Sequence, residues 1–324
     1  MPSPESYPIF APAPGPPQKW TKDVLIQHMQ SAMQVELSTI PLYICALNSI
    51  IPDNGGPSSN ARVSILAVVE QEMLHLSLAG NMLRALGGKQ ALYDKGFMPT
   101  YPSKILYDEI DMQLRAADKK NIENFLKLEA PYKPPVETSH MMFKVNLLPG
   151  YRSIGMFYEH VETGIKELWK DNKYLFKDNH DKQFSGADFF NTQMVVIQDE
   201  RTALRALKTI VDQGEGSIGV PDSHYATFVG LYSERKKWTC YEYIDEPTTD
   251  KYKSDPLIYQ LSLAFDASYC YLLQVIDRLW LEQNPTVRKH LMRTIHRVML
   301  DITPPLGNLL VPAELSGQAS RALL

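Results

Sequence analysis

The chain has 324 residues, enough for one large domain or two modest ones with a full core. Apolar residues make up 44% and charged residues 22%, and a net charge of −4 with no basic stripe excludes nucleic acid as a general partner. Three widely spaced cysteines exclude a disulfide framework or a cysteine-rich zinc site. With no secretory leader and no apolar run of the roughly 18 residues that span a bilayer, the expectation is a cytoplasmic chain without a membrane partner.

Residues 1–20 form an arm rich in proline, which reads as extended chain laid over the body. Thr21 has the chemistry of an N-cap and opens a first helix. Met29, Met33, Ile40, Ile44 and Leu47 recur in it at helical spacing, and Glu36 falls inside that stripe. Pro41 is expected to kink this helix, and Pro52-Asp-Asn-Gly-Gly-Pro57 is a loop signal. A second helix is expected from about Asn60 to Leu86. Ile65, Val69, Leu76, Ala79 and Leu83 lie on its core face, Glu72 lies between them, and His75 shares a face with Glu72.

Residues 89–150 carry scattered prolines and short apolar pieces, the pattern of a long crossover with a few short helices. A third helix starts near Ser153, with Ile154, Tyr158, Val161, Ile165 and Leu168 as its stripe. A fourth is expected from about Ala187 to Asp212, breaking at Gln213-Gly-Glu-Gly-Ser217. Asp222 or Ser223 caps a further helix that begins at His224. The last 70 residues or so are apolar and aromatic at helical spacing and close on a proline-rich ending. The reading is all-α: an arm (1–20), a bundle (21–235) and a C-terminal helical segment packed on it (236–324).

Glu36 and Glu72 are costly on apolar stripes unless each is paired or bound to a cation. Glu72 and His75 stand three apart on one helix face, so both can reach the same ion or neighbouring ions. A third-helix carboxylate would complete the arrangement, with Glu162 ranked ahead of the more solvated Glu159. Glu215 and His224, split by the glycine-rich break, are the candidates for the fourth position, with Glu200 as fallback. Carboxylates joined by one or two imidazoles suit iron or manganese better than a soft metal. Each residue also has a plainer reading. Glu36 can pair with a Lys or Arg, a single Glu-x-x-His arises by chance, and Glu215 can be a turn residue. Their joint occurrence in order favours a metal site. His28 reads as a surface residue, and His140, His160, His180, His290 and His296 lack a partner at ligand spacing.

The runs Glu36-Leu-Ser-Thr-Ile-Pro-Leu-Tyr43, Val69-Glu-Gln-Glu-Met-Leu-His75, Ser153-Ile-Gly-Met-Phe-Tyr158 and Thr209-Ile-Val-Asp-Gln-Gly-Glu-Gly216, with Ser223-His-Tyr225, carry a resemblance. They resemble the ferritin-like domain family of iminophenylpyruvate dimer synthase, whose members also stand alone or beside polyketide synthases. The resemblance spans roughly residues 20–235. It implies a ferritin-like four-helix bundle with an iron site using Glu36, Glu72, His75, Glu215 and His224. The long crossover and the additional C-terminal helices come from the residue pattern, and the C-terminal segment is less clearly covered by the match. Met156 stands where the family pattern often has a polar residue, so no third-helix ligand is carried over.

The expectation is a non-haem di-iron oxidoreductase acting with O2 on a small organic substrate in secondary metabolism, with manganese as the alternative metal. An electron donor is a further expected partner, and the assembly is expected to be a monomer or small homo-oligomer. Tyr43, Tyr158 and Tyr225, near ligands in sequence, are candidates to line the pocket. The rival readings are iminophenylpyruvate-type oxidative coupling, iron storage without an organic substrate, and a helical interaction protein that binds no metal.

Overall fold

The structure, a computed structural model, describes residues 15–105, 110–131, 150–177, 180–189, 192–214, 223–241 and 246–316. Helix α1 (Lys22–Ser49) begins where the Thr21 hydroxyl accepts from the Val24 amide. It continues through Pro41, and residues on all its faces are buried, because it is packed from both sides. Helix α2 (Pro57–Ala85) begins earlier than the sequence pattern placed it. The reason is Asp53, whose carboxylate takes the amides of Gly56, Ser58 and Ser59. The Ser59 hydroxyl and these amides hold the Asp53 carboxyl down at about 2. The helix ends at Gly87, whose φ of 79° a side chain would strain.

The crossover holds a small antiparallel pair, β1 (Ser103–Ile105) with β2 (Ile110–Met112), in the register Ser103 to Met112. It then forms helix α3 (Lys119–Leu128), capped by Asp118. Helix α4 (Ile154–Asp171) is capped by Ser153. A fourth long helix from Ala187 does not form. Gly186–Phe189 makes only one turn, α5, and helix α6 spans Glu200–Gln213. Two buried amides account for the difference. Asn81 bonds the backbone of Phe184 and Val195, and Gln183 bonds both backbone groups of Ile197, so the chain is held out of helix there. Asp199 and Thr202 then form a reciprocal cap that starts α6.

Helices α1, α2, α6 and α4 pack in a ring, each touching the next, and make a four-helix bundle. Helix α7 (His224–Glu234) packs on α3 and α2. Helices α8 (Pro256–Leu281) and α9 (Pro285–Arg297) follow, and a π-type turn leads into α10 (Thr303–Ser316). The expected proline-rich ending is therefore largely helical. Pro304 and Pro305 fall in the first turn of α10, near the start of a helix, where the missing amide costs least.

The C-terminal helices lie against α1 and α2. The Trp280 indole covers Gly80 so closely that a Cβ there would overlap the ring. Cys45, Cys240 and Cys270 are free thiols. By length and composition α2 is apolar enough to cross a membrane, but it is a core helix of this bundle. His28, expected at the surface, is fully buried. Its ring bonds the Val24 carbonyl and the Tyr151 hydroxyl and stacks on Phe157.

Candidate metal centre

Two stripes meet in the bundle interior. Glu36 points in from α1, and Glu72 and His75 point in from successive turns of α2. His224, the first residue of α7, closes the site, positioned by the Ser223 cap. A fifth group comes from the crossover: Glu129, the residue that ends α3. None of these five side chains is more than 5% exposed.

The distances divide the cluster into two halves that share Glu72. His75 Nδ1 stands 3.5 Å from Glu36 Oε2 and 3.9 Å from Glu72 Oε2. His224 Nδ1 stands 3.0 Å from Glu72 Oε1 and 3.6 Å from Glu129 Oε2. The two imidazoles are stacked, with ring centres 5.3 Å apart. Glu72, His75 and His224 each offer a ligand atom within 4.8 Å of the others.

Neighbouring groups fix these side chains. His75 Nε2 lies 3.0 Å from Gln213 Oε1, and the Gln213 amide donates to Gln193. An amide oxygen can only accept, so His75 carries a proton on Nε2, and Nδ1 is the nitrogen turned toward the carboxylates. The Tyr158 hydroxyl donates to Glu36 Oε1 and the Tyr43 hydroxyl donates to Glu129 Oε1. In both carboxylates the second oxygen is the one nearer a histidine.

The electrostatics point to a cation. Three buried carboxylates gathered around two imidazoles repel one another unless positive charge lies among them. Glu72 Oε2 and both ring nitrogens of His224 lack a hydrogen-bond partner, although His224 Nδ1 is within reach of two carboxylates. Burial pushes the Glu72 carboxyl up to about 7, partly offset by His224. For Glu36 burial acts upward too, but hydrogen bonds from His75, Glu72 and Tyr158 outweigh it and hold the carboxyl below its ordinary value. Burial works against charge on His224, yet Glu129 and Glu72 raise it to about 10. The imidazolium thus stands in for the positive charge that a metal ion would bring. Among the described ion pairs, none brings a Lys or Arg to the cluster. Three carboxylates and two imidazoles, with Glu72 Oε2 and His224 Nε2 lacking a hydrogen-bond partner, suit iron or manganese.

The cavity at this centre is small, about 20 Å³, and Val35, Thr39, Ile154, Ile210 and Val211 line it beside the polar groups. That volume admits an ion or a water-sized ligand and no organic molecule.

Of the sequence candidates, Glu36, Glu72, His75 and His224 converge. Glu162 does not: its carboxylate is 44% exposed and pairs with Lys166 one turn on. Glu162 is four residues after Tyr158, but the inward position on α4 is Tyr158 itself, which bonds Glu36 through its hydroxyl. Glu159 is exposed, and Glu200 sits at the start of α6, where it acts on Lys166. Glu215 lies outside the described residues. Tyr225 is half-buried and lines none of the cavities described here.

Glu129 and Gln213 were missed. One signal for Glu129 was present. The amphipathic helix with Ile122, Phe125 and Leu128 on its buried face ends on a carboxylate, the unfavourable sign for a helix C-terminus. Gln213 had no signal beyond its place before the glycine break.

The family model described as ferritin-like matches residues 29–233. Among curated proteins, dichlorochromopyrrolate synthase from Lentzea aerocolonigenes is 23% identical over 309 residues, which cover 83% of this chain and 30% of that protein. The chain thus spans under a third of the length of this relative. Among solved structures, a ferritin-like protein from Caulobacter vibrioides superimposes with a TM-score of 0.61 at 21% identity, covering 90% of this chain and 98% of that one.

Proposed function

The chain belongs to the ferritin-like family, and on that footing we propose that it is a non-haem di-iron oxidoreductase that uses O2 on a small organic molecule in secondary metabolism. The observation that carries this reading is Glu72, set between two imidazoles, with Glu36 beside His75 and Glu129 beside His224. Each imidazole and its own carboxylate would hold one ion, and Glu72 would be shared between them. Glu215, which follows Gly214 in sequence, is retained as a further proposed ligand. A bound pair of iron ions, or of manganese ions, supplies redox chemistry toward O2 that no side chain here possesses.

The remaining contributions are the chain's own. Gln213 accepts from Nε2 of His75 and so turns Nδ1 toward the carboxylates, where it would meet an ion. Tyr158 and Tyr43 orient the carboxylates of Glu36 and Glu129 by donating to one oxygen of each. Burial pushes the Tyr43 phenol well above its ordinary value, with the nearby carboxylates acting the same way, so it remains a neutral donor. The apolar lining keeps bulk water away from the ligands. A relative whose name is that of a synthase is in keeping with a bond-forming reaction, and iminophenylpyruvate-type oxidative coupling is the finer version of this reading. A cytoplasmic monomer or small oligomer with a separate electron donor completes the proposal.

The test is anaerobic iron loading of the purified chain, metal analysis, and O2 exposure followed by absorption and Mössbauer spectroscopy. Two iron ions per chain with an O2-dependent spectral change are expected. Absence of bound iron or manganese after reconstitution would sink the proposal. A cage-sized assembly on gel filtration that mineralises iron would replace it with storage.

A further inference from the structure

The metal centre is too small for an organic molecule, but two larger cavities lie on the other side of the α1–α2 pair, under the C-terminal helices. One, of about 150 Å³, is enclosed by α1 and α2 on one side and by α8 and α9 on the other. A second, also about 150 Å³, lies between α1, α8 and α10 and reaches the segment around Tyr252. They share Ile44, Asn48, Phe265, Tyr269 and Thr303, so the two lobes adjoin along these side chains, which form a waist between them. Neither shares a lining residue with the metal centre.

The first lobe is almost purely apolar, lined by leucine, isoleucine and methionine side chains and Phe184. The second carries polar groups with nothing to bond. Ser262 is 4% exposed and its hydroxyl has no hydrogen-bond partner. The Tyr269 hydroxyl at the waist is likewise buried without a partner. Leaving a buried hydroxyl unsatisfied costs about 1–3 kcal/mol, so two in one cavity need an explanation. Burial pushes the Tyr269 phenol up, so it is a neutral hydroxyl able to donate.

We propose that the two lobes form a binding site for a small two-ring apolar molecule with a hydroxyl or carbonyl group, one ring in each lobe and the polar group on Tyr269 and Ser262. The size fixes the class: an apolar cavity of about 150 Å³ accepts one benzene-sized ring, and two joined lobes accept two. The unpartnered hydroxyls fix the polarity, since a purely apolar occupant would leave both unsatisfied. The site opens beside Leu66 of α2, which is 44% exposed.

The probe is 2-naphthol, with naphthalene as its counterpart lacking the hydroxyl, titrated calorimetrically into the full chain. One saturable site per chain is expected for 2-naphthol. Tyr269→Phe and Ser262→Ala are each expected to weaken it about fivefold, the equivalent of one hydrogen bond, and to leave naphthalene unchanged. A Glu72→Ala chain is expected to bind 2-naphthol as the wild type does. Absence of saturable binding would overturn the proposal, as would wild-type 2-naphthol affinity in both hydroxyl variants. Loss of binding in a Glu72→Ala chain whose circular dichroism is that of the wild type would also overturn it, by tying the probe to the metal centre.

Discussion

Gln213 Oε1 accepts from His75 Nε2 at 3.0 Å, across 138 residues of sequence and from the last turn of a different helix. This bond decides which nitrogen of His75 faces Glu36 and Glu72. Replacing Gln213 with leucine frees the ring to rotate or take the other tautomer. The expected result is a fold that remains intact by circular dichroism and a metal affinity about 10–100-fold weaker. Unchanged metal affinity in Gln213→Leu would remove Gln213 from the positioning role.

Glu129 and Glu162 make a matched pair of opposite predictions. Glu129→Ala removes a carboxylate from beside His224 and leaves the Tyr43 hydroxyl without its acceptor. Metal content at fixed free iron should fall by about tenfold or more. Glu162→Ala removes only an exposed pair with Lys166, so both metal content and stability should stay near wild type, within about 0.5 kcal/mol. Metal loss in Glu162→Ala with none in Glu129→Ala would invert the site assignment.

The seam between the bundle and the C-terminal helices depends on Gly80. A methyl group there meets the Trp280 indole, which is fully buried against Phe184 and cannot swing away freely. Gly80→Ala should cost about 1–3 kcal/mol by overpacking, and Trp280→Ala about 3–5 kcal/mol by cavity formation. Chemical denaturation of the metal-free chain measures both. Equal stability of Gly80→Ala and wild type would mean that this seam opens in solution.

Asp277 gives the stability a pH dependence. Its carboxylate receives the amides of Leu92 and Tyr93 and ties the turn after α2 to α8. Burial outweighs those bonds and raises its carboxyl to about 6. In the unfolded chain it titrates near 4. Between those values the folded chain holds more protons, so this contribution is fully present below about pH 4 and is lost as pH rises to about 6. The urea midpoint of the wild type, relative to Asp277→Asn, should therefore decline over that window and level off above it. A difference that stays constant from pH 4 to pH 7 would contradict the account.

Much of the bundle was legible because its signals are local. Thr21, Ser153 and Ser223 cap the helices that the sequence starts there, and the apolar stripes of α1 and α2 are the faces that pack. The start of the fourth helix was not legible. Residues before Asp199 carry helical spacing, but Asn81 and Gln183, more than a hundred and about fifteen residues away, take their backbone bonds instead. His28 reads as polar in a linear scan, yet a carbonyl and a phenol satisfy both ring nitrogens and allow full burial.

By itself the sequence determined the half-site on α1 and α2. Helical periodicity locks Glu36 to the core face of α1, and Glu72 and His75 to that of α2. It also placed His224 at the head of a capped helix. Only the tertiary structure decided the rest of the site. The third carboxylate comes from Glu129 at the end of a crossover helix, while α4 contributes a tyrosine and α6 an amide. The physical reason is that which face of α4 and α6 turns inward, and where the crossover crosses the bundle, depend on packing between segments far apart in the chain. Periodicity fixes which residues share a face, and the neighbours fix what that face meets.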